Sequence, residues 1–320
     1  MKLLYKMLLV VLVTVVVFAL AGVLATWAPD RKVSDLAPRW AQAPSGFAAV
    51  NGMQVHFRDE GPRDDPLPLI LLHGTSASLH TWDGWVDALK DKRRVIRFDL
   101  PGFGLTGPHA ENDYSVEAYV RVVEAVANAL GVKSFAVAGN SLGGQIAWAT
   151  AHALPQRVQR LILIDAAGYP MAPQSIPIGF RIARVPGVRS LAELVLPRGV
   201  IESSLRNVYG DPGKVTPALV DRYYELTLRE GNRRALAQRF DQMLKADAGQ
   251  SVAAIRSLKL PTLIIWGGKD RLIPVENAHR FAADVVGSQL VVLDALGHVP
   301  QEEDAAGTVQ VARKFLDTSL

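Results

Sequence analysis

The chain of 320 residues contains no cysteine. That removes disulfides, a thiol nucleophile, thiolate metal sites and a lipid-modified N-terminal cysteine from consideration, and leaves the redox compartment open. Charge of one sign is equally scarce: the formal net charge is +4, and Lys and Arg are interspersed with acids. No run reads as a nucleic-acid-binding arm, so no nucleic acid partner is expected. The Gly-rich stretches lack the lysine of a phosphate-binding loop, and Gly102–Gly104 and Gly139–Gly144 lack the glycine spacing and later acid of a dinucleotide site. No cofactor or metal is implied. Internal repeats and low-complexity tracts are absent too.

Hydrophobic residues make up 49% of the chain, and the N-terminus inflates that share. Residues 7–28 carry no charged side chain and are dominated by Leu, Val and Ala, with Lys2 and Lys6 before them. Such a stretch is long enough to span a bilayer as a helix and longer than the usual apolar core of a signal peptide. The expectation is a retained membrane anchor with the following domain on the outer, periplasmic or extracellular, side. Arg31, Lys32 and Arg39 pull the other flank the opposite way, and Val23-Leu24-Ala25 offers a small-residue cleavage site that would release the domain. Residues 29–45, rich in Pro and Ala, read as a linker.

Beyond the linker, Phe47–Val50 and Met53–Arg58 alternate around Asn51-Gly52, a hairpin signal. Short apolar runs follow at Leu69–Leu72, Arg94–Phe98, Phe135–Ala138, Leu161–Ile164, Leu263–Trp266 and Leu290–Leu293. They fit strands buried on both faces of a parallel sheet. Helical patterns over Val116–Leu130, Leu142–Ala153, Glu276–Val285 and Val309–Leu316 alternate with them. The predicted fold is α/β, a doubly wound, mostly parallel sheet over 46–168 and 261–320. Between 169 and 260 no strand is convincing, and the interval is too long for a loop. It reads as a helical cap inserted after the sixth strand. Its arginines, Arg181, Arg184, Arg189, Arg206, Arg222, Arg233 and Arg234 among them, read mainly as a solvated surface, with room for one or two to face a substrate carboxylate.

The sharpest chemical signal is Phe135-Ala136-Val137-Ala138-Gly139-Asn140-Ser141-Leu142-Gly143-Gly144. An apolar strand runs into Gly-x-Ser-x-Gly and then into an Ala-rich helix, the layout of a nucleophile elbow. The tight turn holds the Ser141 hydroxyl clear of the sheet and sets the Leu142 amide at a helix N-terminus, where it can donate to an oxyanion. A serine hydroxyl needs a base. Of seven histidines, His298 is the candidate, in Leu296-Gly297-His298-Val299-Pro300 after the last strand. His73, in Leu72-His73-Gly74-Thr75, reads as structural, its loop offering the Thr75 amide as the second oxyanion donor. His56, His80, His109, His152 and His279 lack a comparable setting. The orienting acid is Asp270, in Gly267-Gly268-Lys269-Asp270, with Asp165 at the end of Leu161–Ile164 as the alternative. The chain order is then Ser141, Asp270, His298.

With these motifs in order, the chain from about Gly46 onward resembles the α/β-hydrolase superfamily: His73-Gly74, Asp99-Leu100-Pro101-Gly102-Phe103-Gly104, Gly139–Gly144, Gly268-Lys269-Asp270 and Gly297-His298-Val299-Pro300 all match. The resemblance implies a structural loop at Asp99–Gly104 and a cap after Asp165. It also argues against the dehalogenase and epoxide-hydrolase branches, whose nucleophile is an aspartate where this chain has Ser141. The elbow is similar to that of carbon–carbon hydrolases acting on ring-fission diketones, although those usually carry a Gly-Pro-Gly-like oxyanion loop where this chain has Thr75-Ser76-Ala77-Ser78. The elbow is also similar to that of cofactor-free haloperoxidases and acyltransferases. The expected function is hydrolysis of a carboxylic ester through an acyl-enzyme on Ser141. The alternatives are carbon–carbon bond hydrolysis and a non-catalytic ligand-binding role, since fold alone does not set function.

Overall fold

A computed structural model describes residues 2–170, 172–185, 193–243 and 248–318; Arg189 lies outside them. Two antiparallel strands open the sheet, β1 (Gly46–Val50) and β2 (Met53–Glu60), joined at Asn51-Gly52, where both residues adopt the positive φ that a tight hairpin turn needs. The other strands are β3 (Leu69–Leu72), β4 (Val95–Phe98), β5 (Phe135–Asn140), β6 (Val158–Ile164), β7 (Thr262–Gly267) and β8 (Gln289–Leu293). They form one sheet in the order β1-β2-β4-β3-β5-β6-β7-β8, parallel from β4 to β8. The mostly parallel sheet expected from the apolar runs is thus present, with each strand within a few residues of its predicted place.

The helices are α1 (Lys2–Ala25), α2 (Val33–Trp40), α3 (Asp83–Leu89), α4 (Val116–Ala129), α5 (Leu142–Ala153), α6 (Ile178–Ala183), α7 (Arg198–Val208), α8 (Pro217–Thr227), α9 (Asn232–Met243), α10 (Ala248–Arg256), α11 (Glu276–Asp284), α12 (Pro300–Glu303) and α13 (Ala305–Asp317). Two apolar clusters cover the faces of the sheet. One joins β5 and β7 side chains to α4, α5 and α11, and the other joins β3, β6 and β7 side chains to α3 and α13. Strands β3, β4, β5 and β7 are buried along their whole length, which explains why their sequences are apolar without alternation. Between β6 and β7 the described residues carry helices α6 to α10.

The N-terminal region departs from expectation. Helix α1 stops at Ala25, where Thr26 bonds back to Gly22 and Val23. The Ala28 amide donates to the Leu194 carbonyl and the Leu196 amide to that of Thr26. The last residues of the expected 7–28 span therefore belong to the folded domain. Among the described residues no helix is long and apolar enough to cross a membrane. This overturns the membrane anchor at 7–28 and the placement of the domain on the outer side of a membrane that was read from it. Residues 29–45, expected as a linker, carry α2, which buries Leu36 and Trp40. The Arg31 amide and carbonyl pair with Leu228 and Glu230, Asp30 binds Arg233, and Glu225 takes both Arg39 and the Trp40 indole. The segment is strapped onto the helical layer between β6 and β7.

Candidate active site

Ser141 sits between β5 and α5 with φ 55° and ψ −115°, a backbone conformation that L residues rarely adopt. Neighbouring backbone holds it there: the Ser141 amide donates to Ile164, and its carbonyl accepts from Gln145 and Ala167. The flanking glycines are required by close approach. A Cβ on Gly139 would lie 2.1 Å from the Gly143 carbonyl oxygen, and one on Gly143 would lie 2.1 Å from that of Leu72. Leu142 is the first residue of α5, so its amide has no acceptor within the helix.

His298 follows β8 and is buried. Its Nδ1 lies 2.7 Å from Oδ2 of Asp270, in the loop after β7. With Asp270 accepting there, Nδ1 carries the proton and Nε2 presents a lone pair. The other Asp270 oxygen accepts from the amides of Leu272 at 2.8 Å and Ile273 at 3.0 Å. Asp165, the alternative acid, ends β6 and accepts from the Gly267 amide at 3.1 Å rather than from the histidine ring. Burial pushes its carboxyl well above the usual carboxylate range, and the charge of Asp270 adds to that. An oxygen of Asp165, an oxygen of Asp270 and a ring nitrogen of His298 all lie within 4.8 Å of one another. Nδ1 of His298 is paired with Asp270, and Asp165 stands beside that pair.

A cavity of about 400 Å³ opens onto this centre and is lined by Gly74, Thr75, Ser76, Ser141 and His298 at one end. The helical layer supplies most of the rest, with Ile182, Val195, Leu196, Val200, Ile201 and Leu205 making an apolar part and Ser204, Thr227 and Gln238 a polar minority. Two arginines reach it. Arg233 binds Asp30 and Arg234 binds Glu193. Tyr223 also lines the cavity, and its hydroxyl donates to Glu302 at 2.8 Å. Burial and the Glu302 charge push that phenol well above its usual range.

Other sequence candidates take structural places. His73 Nε2 accepts from the Leu100 amide and Nδ1 bonds the Gly74 carbonyl, which fixes the loop that carries Thr75. Burial lowers its affinity for a second proton. Asp99 accepts from the amides of Leu79 and Leu105 and from His56, anchoring the Asp99–Gly104 loop. His80 and His152 are hydrogen-bonded to Trp40 and Ser257 respectively.

Two residues near the site escaped sequence reasoning. Asn140 donates to the His298 carbonyl at 2.9 Å and to that of Ile164, tying the nucleophile turn to the histidine loop. Glu303 accepts from the amides of Gly297, Gly210 and Asp211, so one carboxylate clamps the histidine loop to the end of α7. Asn140 was within the motif but unreadable as a link, because its partner is 158 residues away. Glu303 carried no signal.

Comparison with known proteins bears on the fold. A family profile described as the alpha/beta hydrolase fold matches residues 68–305. The 2-hydroxymuconate semialdehyde hydrolase of Pseudomonas sp. strain CF600 is 30% identical over 83% of this chain and 91% of its own length. Among solved structures, the meta-cleavage product hydrolase of Pseudomonas fluorescens IP01 superposes with a TM-score of 0.74 at 26% identity, covering 85% of this chain and 97% of its own. A bacterial membrane phospholipase A superposes with a TM-score of 0.73 at 26% identity, covering 99% and 98%. The sheet order, the elbow and the profile agree: the chain belongs to the α/β-hydrolase family.

Proposed function

We propose that the protein hydrolyses carboxylic esters with an apolar acyl group, through an acyl-enzyme on Ser141. His298 Nε2 takes the Ser141 proton as Oγ attacks the ester carbonyl, and then delivers it to the departing alkoxide. Asp270 holds the ring in the tautomer that frees Nε2 and stabilises the imidazolium. The amides of Leu142 and Thr75 receive the oxyanion. Water, activated by the same histidine, releases the acid and restores Ser141. Residues 169–260 act as the cap that shapes the acyl pocket.

The observation that carries the reading is the wall of the cavity. Away from Ser141 its surface is mostly apolar, Ile182, Val195, Leu196, Val200, Ile201 and Leu205 among its lining, with a polar minority in which the two arginines are held by Asp30 and Glu193. A neutral hydrocarbon gains from such a wall, whereas a substrate carboxylate against its aliphatic part would be desolvated at a cost. The test is a series of p-nitrophenyl esters from acetyl to decanoyl. kcat/KM rises with acyl length, and Ser141→Ala lowers kcat by about 10³-fold or more while the fold is kept. Full turnover by that variant would sink the proposal.

The second reading, carbon–carbon hydrolysis of a ring-fission diketone, is favoured by similarity to the semialdehyde and meta-cleavage product hydrolases. It requires turnover of vinylogous diketone acids above that of the best ester. A purely ligand-binding role requires that a fluorophosphonate leave Ser141 unlabelled.

A further inference from the structure

Two carboxyl groups stand at the acid end of the site, and the chemistry proposed above uses only one. Asp165 closes β6 with φ 44° and is completely buried. Asp and Asn are among the few residues that tolerate this left-handed conformation. Its Oδ1 accepts the Gly267 amide, while its Oδ2, cut off from solvent, meets no donor. Asp270 is also buried, and it faces Asp165 within the 4.8 Å cluster that includes His298. Two buried carboxylates this close cannot both be ionised, so one of them keeps a proton.

The donors say which one. Asp270 receives three: the amides of Leu272 and Ile273 on one oxygen and His298 Nδ1–H on the other. Each of these bonds favours the charged form. Asp165 receives one, leaving an oxygen that as a carboxylate would be an unsatisfied buried acceptor and as a hydroxyl becomes a donor. The remaining charge near Asp165 is Glu303, whose own carboxylate is taken up by the amides of Gly210, Asp211 and Gly297. It too disfavours a second negative charge.

We infer that Asp165 is a neutral carboxylic acid that donates its proton in a hydrogen bond to the Asp270 carboxylate, a positioning residue that limits how strongly Asp270 holds the imidazolium of His298. The hydrogen bond draws charge off Asp270, so the histidine is less basic than beside an unshared carboxylate. His298 must be neutral to accept the Ser141 proton, so the enzyme keeps its activity further into acid. The proton stays on Asp165 throughout turnover, and no bond to carbon changes.

This inference rests on the triad reading, and its test has one arm that does not. In the first arm, Asp165→Ala removes the donor. The acid limb of the kcat/KM profile moves up by about one pH unit, equivalent to a roughly tenfold loss of activity on that limb. Asp165→Asn, whose side-chain amide can donate to Asp270, accept from Gly267 and adopt the same φ, restores the limb toward its original place. An Ala variant with unaltered melting and an unmoved limb would overturn the inference. In the second arm, the infrared difference spectrum between the unaltered protein and Asp165→Asn at neutral pH contains the carbonyl stretch of a protonated carboxyl. Its absence would overturn the proton assignment even if the chain proved to cleave no ester. A band present alongside inactivity would leave the proton in place and remove only the triad reading.

Discussion

The sheet and the helical layer between β6 and β7 are built on different principles. Strands β3, β4, β5 and β7 are buried end to end, and the glycines at the elbow allow backbone to touch backbone. In the helical layer, α6 buries no residue and α7 only Leu205. That layer is fastened by small apolar clusters, Leu205 and Val220 against Val299 and Leu226 against Leu36, and by charge: Arg222 to Glu302, Arg233 to Asp30, and Arg39 to Glu225. Close packing permits one arrangement of Ser141, Asp270 and His298, because a shift of a few tenths of an ångström meets repulsion. Ion pairs at the edges constrain less tightly and can be rebuilt with other side chains. On the proposed reading, the chemistry rests on the rigid part, and the choice of what enters rests on the replaceable part.

Substitution inside the sheet region breaks this comparison most severely. Gly143→Ala places a methyl 2.1 Å from a backbone oxygen of β3 that cannot turn aside. It is expected to cost about 4 kcal/mol or more, read by chemical denaturation, and to abolish activity in whatever folds. A near-neutral result would show that the elbow is softer than its contacts.

Next comes the latch between layer and core. Arg222 and Glu302 are both largely buried, and Glu302 also accepts from the hydroxyls of Tyr209 and Tyr223. Arg222→Met leaves that carboxylate uncompensated, at a cost of roughly 3–5 kcal/mol. Pairing it with Glu302→Gln should recover much of the loss in a double-mutant cycle. KM should rise more than kcat falls, since the variant loosens the pocket and leaves the triad in place. Equal effects on both would mean that layer and core act as one unit.

The smallest effect is spread along the pH axis. Burial pushes His80 down to about 3 and lowers His73 as well, so both remain neutral in the fold while the unfolded chain binds their protons below about 6.5. The unfolded state therefore gains protons as pH falls through this window, and stability falls with it. Asp165 works the other way, because its raised value is a stabilisation lost as pH rises above the ordinary carboxylate range. His80 alone, neutral in the fold down to about pH 3, makes stability fall as pH drops below about 6.5, with His73 adding to the fall and Asp165 offsetting part of it. Asp99 extends the same trend at lower pH: burial penalises its charge, but His56 outweighs that and holds it below its usual range. A flat profile between pH 6 and 4 would place the histidines in contact with water.

Much of the core was legible because its signals are local. The apolar runs named every strand, Asn51-Gly52 named the hairpin, and the elbow named Ser141 through the small residues its turn demands. Helix α3 was not, since at seven residues it spans too few turns for a periodic stripe to stand out. The apolar N-terminus misled in a different way. Its composition suggested a span over 7–28 and a free linker after it, whereas the pairing of Ala28 with Leu194 and of Asp30 with Arg233 depends on a segment some 165 residues or more further on.

By itself the sequence determined the sheet and the tight turn at Ser141, because backbone propensity, burial pattern and turn sterics act over a few residues. Only the tertiary structure decided which of Asp165 and Asp270 faces the histidine, and which side chains of the helical layer line the cavity beside Ser141. Those outcomes turn on distances between groups far apart in the chain, and electrostatic and packing energies depend on distance, not on order along the sequence.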